Sequence, residues 1–153
     1  MSFLLSIAVR NSHRAPMVIH SEAIVTKEKG IEGDYRGHIK RRQVTVLTRE
    51  AWEEACAEIG TNLPWTTRRA NLLIEGINLE NSTGKRLHIG DVILEITGET
   101  NPCIRMDEAH QKLCKALTPF WRGGVISRIT QDGIMRTGNS IQIETVVSSN
   151  NPK

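Results

Sequence analysis

The run Leu87-His88-Ile89-Gly90-Asp91-Val92-Ile93-Leu94-Glu95-Ile96-Thr97-Gly98-Glu99-Thr100-Asn101-Pro102-Cys103 carries the reading of the fold. Apolar positions alternate on either side of Gly90-Asp91, the pattern of half-buried strands meeting at a tight turn. The same shape returns at Gly138-Asn139, and Gly33-Asp34 is a third turn of this kind. Their spacing is irregular, so they predict corners of one curved sheet and not the steps of a solenoid. After Gly98 the strand pattern stops, and a helical one begins near Asp107. Between them Pro102 fixes its own φ and biases Asn101 towards extended backbone. Cationic neighbours and helix N-termini favour the thiolate form of a cysteine. With Arg105 beside it, Cys103 is the candidate reactive atom.

Working outward, Ser2 to Arg10 and Met17 to Thr26 alternate as strands, with the polar turn Asn11 to Pro16 between them. Gly30 to His38 holds three glycines and predicts a tight loop whose backbone N–H groups can approach a ligand. Lys40-Arg41-Arg42 is a short basic run without aromatic interleaving, a solvated loop more than a nucleic-acid patch. Gln43 to Leu47 is a β-branched strand. Thr48 caps a helix over Glu50 to Ile59, which Gly60 ends, and Trp52, Ala55, Cys56 and Ile59 share its inner face. Thr67 to Gly76 is a short apolar strand entered through Arg68 and Arg69. Asp107 to Leu117 reads as a second helix, ended by Pro119. Trp121 to Thr130 reads as a strand turned at Asp132-Gly133, a hairpin signal. Strands dominate, and alternating βαβ units are missing. The expectation is a mainly β fold, a mostly antiparallel β-barrel with two short peripheral helices. One domain over 1–147 and a polar C-terminal tail over 148–153 are expected.

With 39% hydrophobic and 24% charged residues, the chain has the composition of a folded globular protein. No apolar run reaches the roughly 20 residues a bilayer span needs, and the N-terminus has no basic leader, so a cytoplasmic location is expected. Cys56, Cys103 and Cys114 form an odd set with no Cys-x-x-Cys pair, which argues against a disulfide framework and a structural zinc site. Cys56 and Cys114 are assigned to packing. His110 and Cys114 stand four apart, too few ligands to define a metal site. A net charge of +3 does not by itself indicate nucleic-acid binding. Arginine, however, outnumbers lysine by 13 to 7, and its planar fork suits phosphate and carboxylate, so an anionic ligand is expected. Nucleotide-binding glycine loops and serine-hydrolase elbows are both missing. Cys103, the arginines in turns, and the candidate bases His13, His38 and His110 remain.

Six segments stand in a telling order: Gly-Ile-Glu-Gly-Asp at 30–34, Arg-Gln-Val-Thr-Val-Leu at 42–47, Arg-x-Asn-Leu-Leu-Ile-Glu-Gly at 69–76, Leu-x-Ile-Gly-Asp-Val-Ile-Leu-Glu-Ile-Thr-Gly at 87–98, Pro-Cys at 102–103 and Gly-Gly-Val at 123–125. Together they resemble the MOSC domain family, named for the C-terminal domain of molybdenum cofactor sulfurases, from about Ile7 to Ile143. The resemblance implies a MOSC-type barrel and a role in molybdenum cofactor chemistry. In such proteins the cysteine matching Cys103 either ligates molybdenum or carries sulfur as a persulfide. Amidoxime-reducing enzymes, and bacterial proteins that detoxify N-hydroxylated bases, are similar and use the metal-ligand version. Arg69 and Asn71 match the Arg-x-Asn that contacts the pterin there. Arg10 matches a basic residue that reaches the cofactor phosphate, and Arg36 is implied in the same role. Asn11 departs from the serine common beside that residue.

The expected function is therefore molybdenum-dependent reduction of N-hydroxylated compounds, with Cys103 as metal ligand. The alternative is a sulfur carrier or transferase that holds a persulfide on Cys103 for a metal–sulfur or molybdenum cofactor acceptor. A non-enzymatic basic barrel that binds nucleic acid comes last, because six aromatics, three of them tryptophans expected in the core, leave little for a stacking platform. Within these 153 residues neither the aminotransferase-like domain of the sulfurases nor a ferredoxin-like extension is expected. Expected partners are a small-molecule substrate with separate electron-donor proteins, or a sulfur donor and acceptor, and no membrane.

Overall fold

The computed structural model describes residues 1–146, and the tail expected over 148–153 lies outside them. In chain order the strands and α-helices are β1 (Phe3–Val9), β2 (Val18–His20), β3 (Glu22–Thr26), β4 (Gly30–Ile31), β5 (Val44–Thr48), α1 (Arg49–Glu58), β6 (Leu72–Glu75), β7 (Arg86–Ile89), β8 (Val92–Glu99), α2 (Met106–Ala109), α3 (Leu113–Leu117), β9 (Val125–Gln131), β10 (Gly133–Arg136) and β11 (Ile141–Glu144). Single 3-10 turns cover Lys40–Arg42, Trp65–Arg68 and Pro119–Trp121.

An eight-stranded sheet runs β11-β7-β8-β9-β5-β6-β1-β2, and a three-stranded sheet runs β10-β3-β4. The class is mainly β, as expected. The ladders leave β11 and β2 as edges of the larger sheet and do not close into a ring, although an isolated bridge joins Phe3 to Ser140 near β11. The sheet is mixed: β5 and β6 are parallel and the other paired strands are antiparallel. One strand–helix–strand crossover through α1 is therefore present. Antiparallel pairs can be joined by a tight turn, whereas a parallel pair needs such a crossover.

That crossover explains the apolar run at Leu72-Leu73-Ile74. Val44, Val46, Leu72 and Ile74 face the main core, while Leu47 and Leu73 face a second cluster made with Trp52, Ala55, Leu113 and Leu117. Both faces of these two strands are buried, so alternation gives way to continuous hydrophobicity. Leu113 and Leu117 are fully buried, each contributing about 1.5–3 kcal/mol. Thr48 caps α1 through its hydroxyl, which accepts the Ala51 N–H at 3.1 Å. Gly60 follows at φ +72°, the left-handed conformation that ends a helix.

Four expectations are corrected. The helix over 107–117 is two short helices, so the described residues hold three α-helices and not two. Backbone at His110 is extended and at Lys112 left-handed (φ 71°). The Asp107 carboxylate accepts the Cys114 N–H at 3.0 Å, and so caps the second helix from the first turn of α2. The strand over Met17 to Thr26 breaks at Ser21 and sends its halves to different sheets. The strand expected from Trp121 begins only at Val125, after the turn at Pro119–Trp121. Finally, Asp132-Gly133 is not a hairpin: β9 pairs with β8 and β5, and β10 with β3. It is the corner where the chain changes sheets, fastened by the Lys27 N–H donating to Asp132 at 2.7 Å. Among the described residues no helix is long and apolar enough to cross a membrane.

Candidate functional site

The ends of β1 and β6, the loop after β4, the turn at Trp65–Arg68 and the loop after β8 meet around a cleft of about 530 Å³. Such a volume lies in the range of small-molecule and cofactor sites. Cys103, Arg10, Arg36, Arg69 and Asn71 all line it, together with His13, Asp34, Thr100 and four further arginines, Arg14, Arg42, Arg68 and Arg105. His38 and His110 do not.

The frame of the cleft is a polar brace between Asp34 and Asn71. Asp34 accepts from the Arg10 N–H (3.1 Å), the Arg36 N–H (3.3 Å) and the Asn71 side-chain amide (3.2 Å). That amide also donates to the Ala8 carbonyl at 3.1 Å, and the Asn71 side-chain oxygen accepts from the Thr45 N–H at 3.0 Å. Asn71 is 6% exposed and Asp34 9%, so these bonds satisfy groups that have left water. Asn71 thus lines the cleft with its amide already engaged, and its geometry is that of a brace.

With Asp34 committed to amide donors, the cleft arginines have no carboxylate partner within salt-bridge distance among the described residues. Arg10 and Arg36 instead lie over the Tyr35 ring at 5.3 and 5.4 Å, cation–π distances, and the Arg36 Nε–H donates to the Tyr35 hydroxyl at 3.0 Å. His13 Nδ1 meets the same hydroxyl at 3.1 Å. Arg69 adopts left-handed backbone (φ 65°), a costly choice for a residue with a Cβ, and its guanidinium donates to the Ala15 carbonyl. Burial, and then the nearby charges of Arg69 and Arg36, push the Arg10 guanidinium below its ordinary value. The fold has gathered like charges in a cleft whose two carboxylates, Asp34 and Glu108, form no salt bridge with them among the described residues.

The Cys103 loop is fastened from below. Arg68, 9% exposed, donates from Nε to the Gly123 carbonyl (3.0 Å) and from a terminal nitrogen to the Thr100 carbonyl (3.1 Å). Burial pushes this guanidinium down to about 10, so it remains cationic at neutral pH. A Cβ on Gly123 would lie 2.7 Å from the Thr100 carbonyl oxygen and 3.3 Å from Pro102 Cδ, which is why a glycine stands there. Cys103 is exposed, and its Sγ accepts the Arg105 N–H at 3.2 Å. The helix expected to follow it is a single turn of four residues, too short for a substantial dipole. Positive charge near the sulfur comes instead from Arg68.

The glycine-rich loop also differs from expectation. Gly30, Gly33 and Gly37 do not line the cleft. A Cβ on Gly37 would fall 1.6 Å from the Lys29 carbonyl oxygen, so this glycine lets the loop close on itself and aims Asp34 and Arg36 inward. Sequence reasoning missed Asp34, Tyr35 and Arg68. The first two stood in plain view behind Gly33, but a carboxylate that braces and a ring that seats two guanidiniums have no spacing signature.

The fold and the cleft together define a mainly β protein whose mixed sheet carries an arginine-lined cleft with an exposed loop thiol. The family profile described as "MOSC domain" matches residues 21–142, and the chain belongs to that family. Among solved structures, the chain is similar to the YuaD protein from Bacillus subtilis, with TM-score 0.80, 18% identity, 96% of this chain and 98% of that one covered. It is also similar to YiiM from Geobacillus stearothermophilus (TM-score 0.75, 15% identity, 94% and 75% covered) and YiiM from Escherichia coli (0.69, 16%, 96% and 72%). At these identities the likeness speaks for the fold. A search of curated proteins gave no significant match.

Proposed function

We propose that this MOSC protein binds molybdenum cofactor in the arginine-lined cleft and takes part in the reduction of N-hydroxylated compounds. The observation that carries the reading is the convergence of unpaired arginines and one exposed thiol on a single cleft. The cofactor is a phosphorylated pterin bearing sulfur and a soft metal, and it asks for cationic forks and a soft ligand. The residues fit. Arg10, Arg36 and Arg69 supply guanidinium groups without carboxylates, Cys103 supplies sulfur, and the Thr100 hydroxyl oxygen is a buried polar atom at the cleft with no partner. When bound, the group supplies a two-electron redox centre.

The chain's own residues then have distinct tasks. Arg10, Arg36 and Arg69 hold the anionic parts, with Tyr35 seating the first two and the Asp34–Asn71 brace fixing the strand ends that carry them. Arg68 and Gly123 set the height of the Cys103 loop. Reduction of an N-hydroxyl group to the amine consumes two electrons and two protons and releases water. The electrons come from a separate donor protein, and His13, hydrogen-bonded to Tyr35, is the cleft histidine able to exchange a proton.

The test is elemental and pterin analysis of protein purified without oxygen. Molybdenum and pterin are expected in comparable amounts, with the metal lost from Cys103→Ser and the pterin weakened by Arg69→Ala. Protein that carries neither after expression in a cofactor-producing host overturns the reading. The exposure of Cys103 also suits a second reading, a sulfur carrier. Incubation with a cysteine desulfurase would then add about 32 Da, one sulfur atom, at Cys103. Addition at Cys56 or Cys114 with Cys103 unmodified would sink that reading.

A further inference from the structure

The fold-back between α2 and α3 has a chemical result. In one continuous helix over 107–117, Cys114 would be carried roughly 10 Å along the axis beyond Asp107 and away from the Cys103 loop, at about 1.5 Å per residue. Extended backbone at His110 and left-handed backbone at Lys112 return the chain instead. The Cys114 Sγ comes to 3.6 Å from the carbonyl oxygen of Pro102, the residue directly before Cys103. Arg68 fastens the base of the same loop by donating to the Thr100 carbonyl at 3.1 Å. Cys103 is exposed, its sulfur held only by the Arg105 N–H, a bond that a change of side-chain rotamer releases, and Cys114 is half-buried. Cys56 is buried on α1, within the second core cluster.

We infer that Cys103 and Cys114 form a peroxide-responsive dithiol site, with Cys103 as the thiol that is oxidised first and Cys114 as the one that resolves it. The Cys103 thiolate attacks one oxygen of a hydroperoxide; the O–O bond breaks, a sulfenic acid forms, and the other oxygen leaves as hydroxide and takes a proton. The Cys114 sulfur then attacks the sulfenic sulfur; the S–O bond breaks, the S–S bond forms, and water leaves. Two thiols lose two electrons and two protons, and one hydrogen peroxide becomes two waters. A dithiol reductant reverses the change. Closure of the bond withdraws the Cys103 sulfur from the cleft. The inference does not depend on the cofactor reading, since it concerns the protein with nothing bound.

Reduced, desalted protein treated with a slight excess of hydrogen peroxide, quenched by alkylation and mapped by mass spectrometry without reductant, tests it. The expected product is a Cys103–Cys114 linked peptide, about 2 Da lighter than its parts, with Cys56 alkylated and the link removed by dithiothreitol. Cys114→Ser and Cys114→Ala should both lose the link and leave Cys103 as a sulfenic acid that dimedone traps, at least ten times more than in the parent. Sulfinic acid on Cys103 beside an alkylatable Cys114 in the parent protein would overturn the inference. So would a dominant link between two copies, or one that involves Cys56.

Discussion

Arg68 and Arg122 are both buried, at 9% and 7% exposed, yet they sit in opposite electrostatic company. Arg122 donates to Glu54 at 2.8 Å, to Glu58 at 2.5 Å and to the Ala116 carbonyl at 3.0 Å. Burial pulls its guanidinium down, but the two glutamates outweigh that and the net shift is upward. Arg68 has only two carbonyl oxygens, and burial wins. A charge neutralised by its own fold ties α1 to the turn before β9. A charge held by carbonyls alone fixes a loop and still presents a positive potential to the cleft. The difference separates an arginine neutralised by two glutamates from one that keeps its charge without a carboxylate within salt-bridge distance among the described residues.

Substitutions that break this contrast should rank as follows. Arg68→Met leaves the Thr100 and Gly123 carbonyls without donors and should cost about 3 kcal/mol in urea denaturation, since hydrogen bonds to charged groups contribute ~1.5–3 kcal/mol each. It should also reduce by more than half the rise in Tm that millimolar pyrophosphate gives the parent protein. An undiminished rise would mean that Arg68 is structural only. Gly123→Ala forces the Thr100–Pro102 backbone aside and should cost about 2 kcal/mol, with a changed rate of Cys103 alkylation as the local sign. Arg122→Met should cost only about 1–1.5 kcal/mol, because both glutamates reach into solvent. Its pyrophosphate response should match the parent's, and a lost response would erase the distinction between the two arginines.

The smallest effect is expected at Asp107. Burial, then the Asp107 carboxylate and then Cys103 raise the Cys114 thiol above its ordinary value. A thiol raised in the folded state binds its proton more tightly there, so this contribution to stability is lost as pH rises through the folded value. Asp107→Asn keeps an acceptor for the Cys114 N–H and removes the charge. Alkylation of Cys114 should then begin at lower pH, with stability changed by a few tenths of a kcal/mol. An unshifted alkylation profile would show that the Asp107 charge plays no part in setting this thiol.

The mainly β class, the capped α1, the turn at Gly90-Asp91 and the thiol loop after β8 were legible because each rests on a local rule: alternation, an N-cap, a tight turn, a proline. The sheet change at Asp132-Gly133 was not, because the bond that decides it joins residues 105 positions apart. The helix break was hidden for a related reason. Apolar spacing over 107–117 fits one helix, and the break at His110 and Lys112 goes with a side-chain cap from Asp107 to the Cys114 N–H that spacing does not reveal. At the cleft, Cys103, Arg10, Arg36, Arg69 and Asn71 were named in advance, most through an ordered set of motifs. Arg68 was passed over beside Arg69, since nothing in the sequence tells that its guanidinium is buried against the Gly123 and Thr100 carbonyls.

The Asp34–Asn71 brace has a consequence in time. Its bonds span 26, 37 and 63 residues of chain, from Thr45, Asp34 and Ala8 to Asn71. Closures over such separations come late in folding, after local hairpins and helices have formed. The arginine cradle is therefore expected to be among the later parts of the fold to close, which pulsed hydrogen exchange at the Arg10 and Thr45 amides would check.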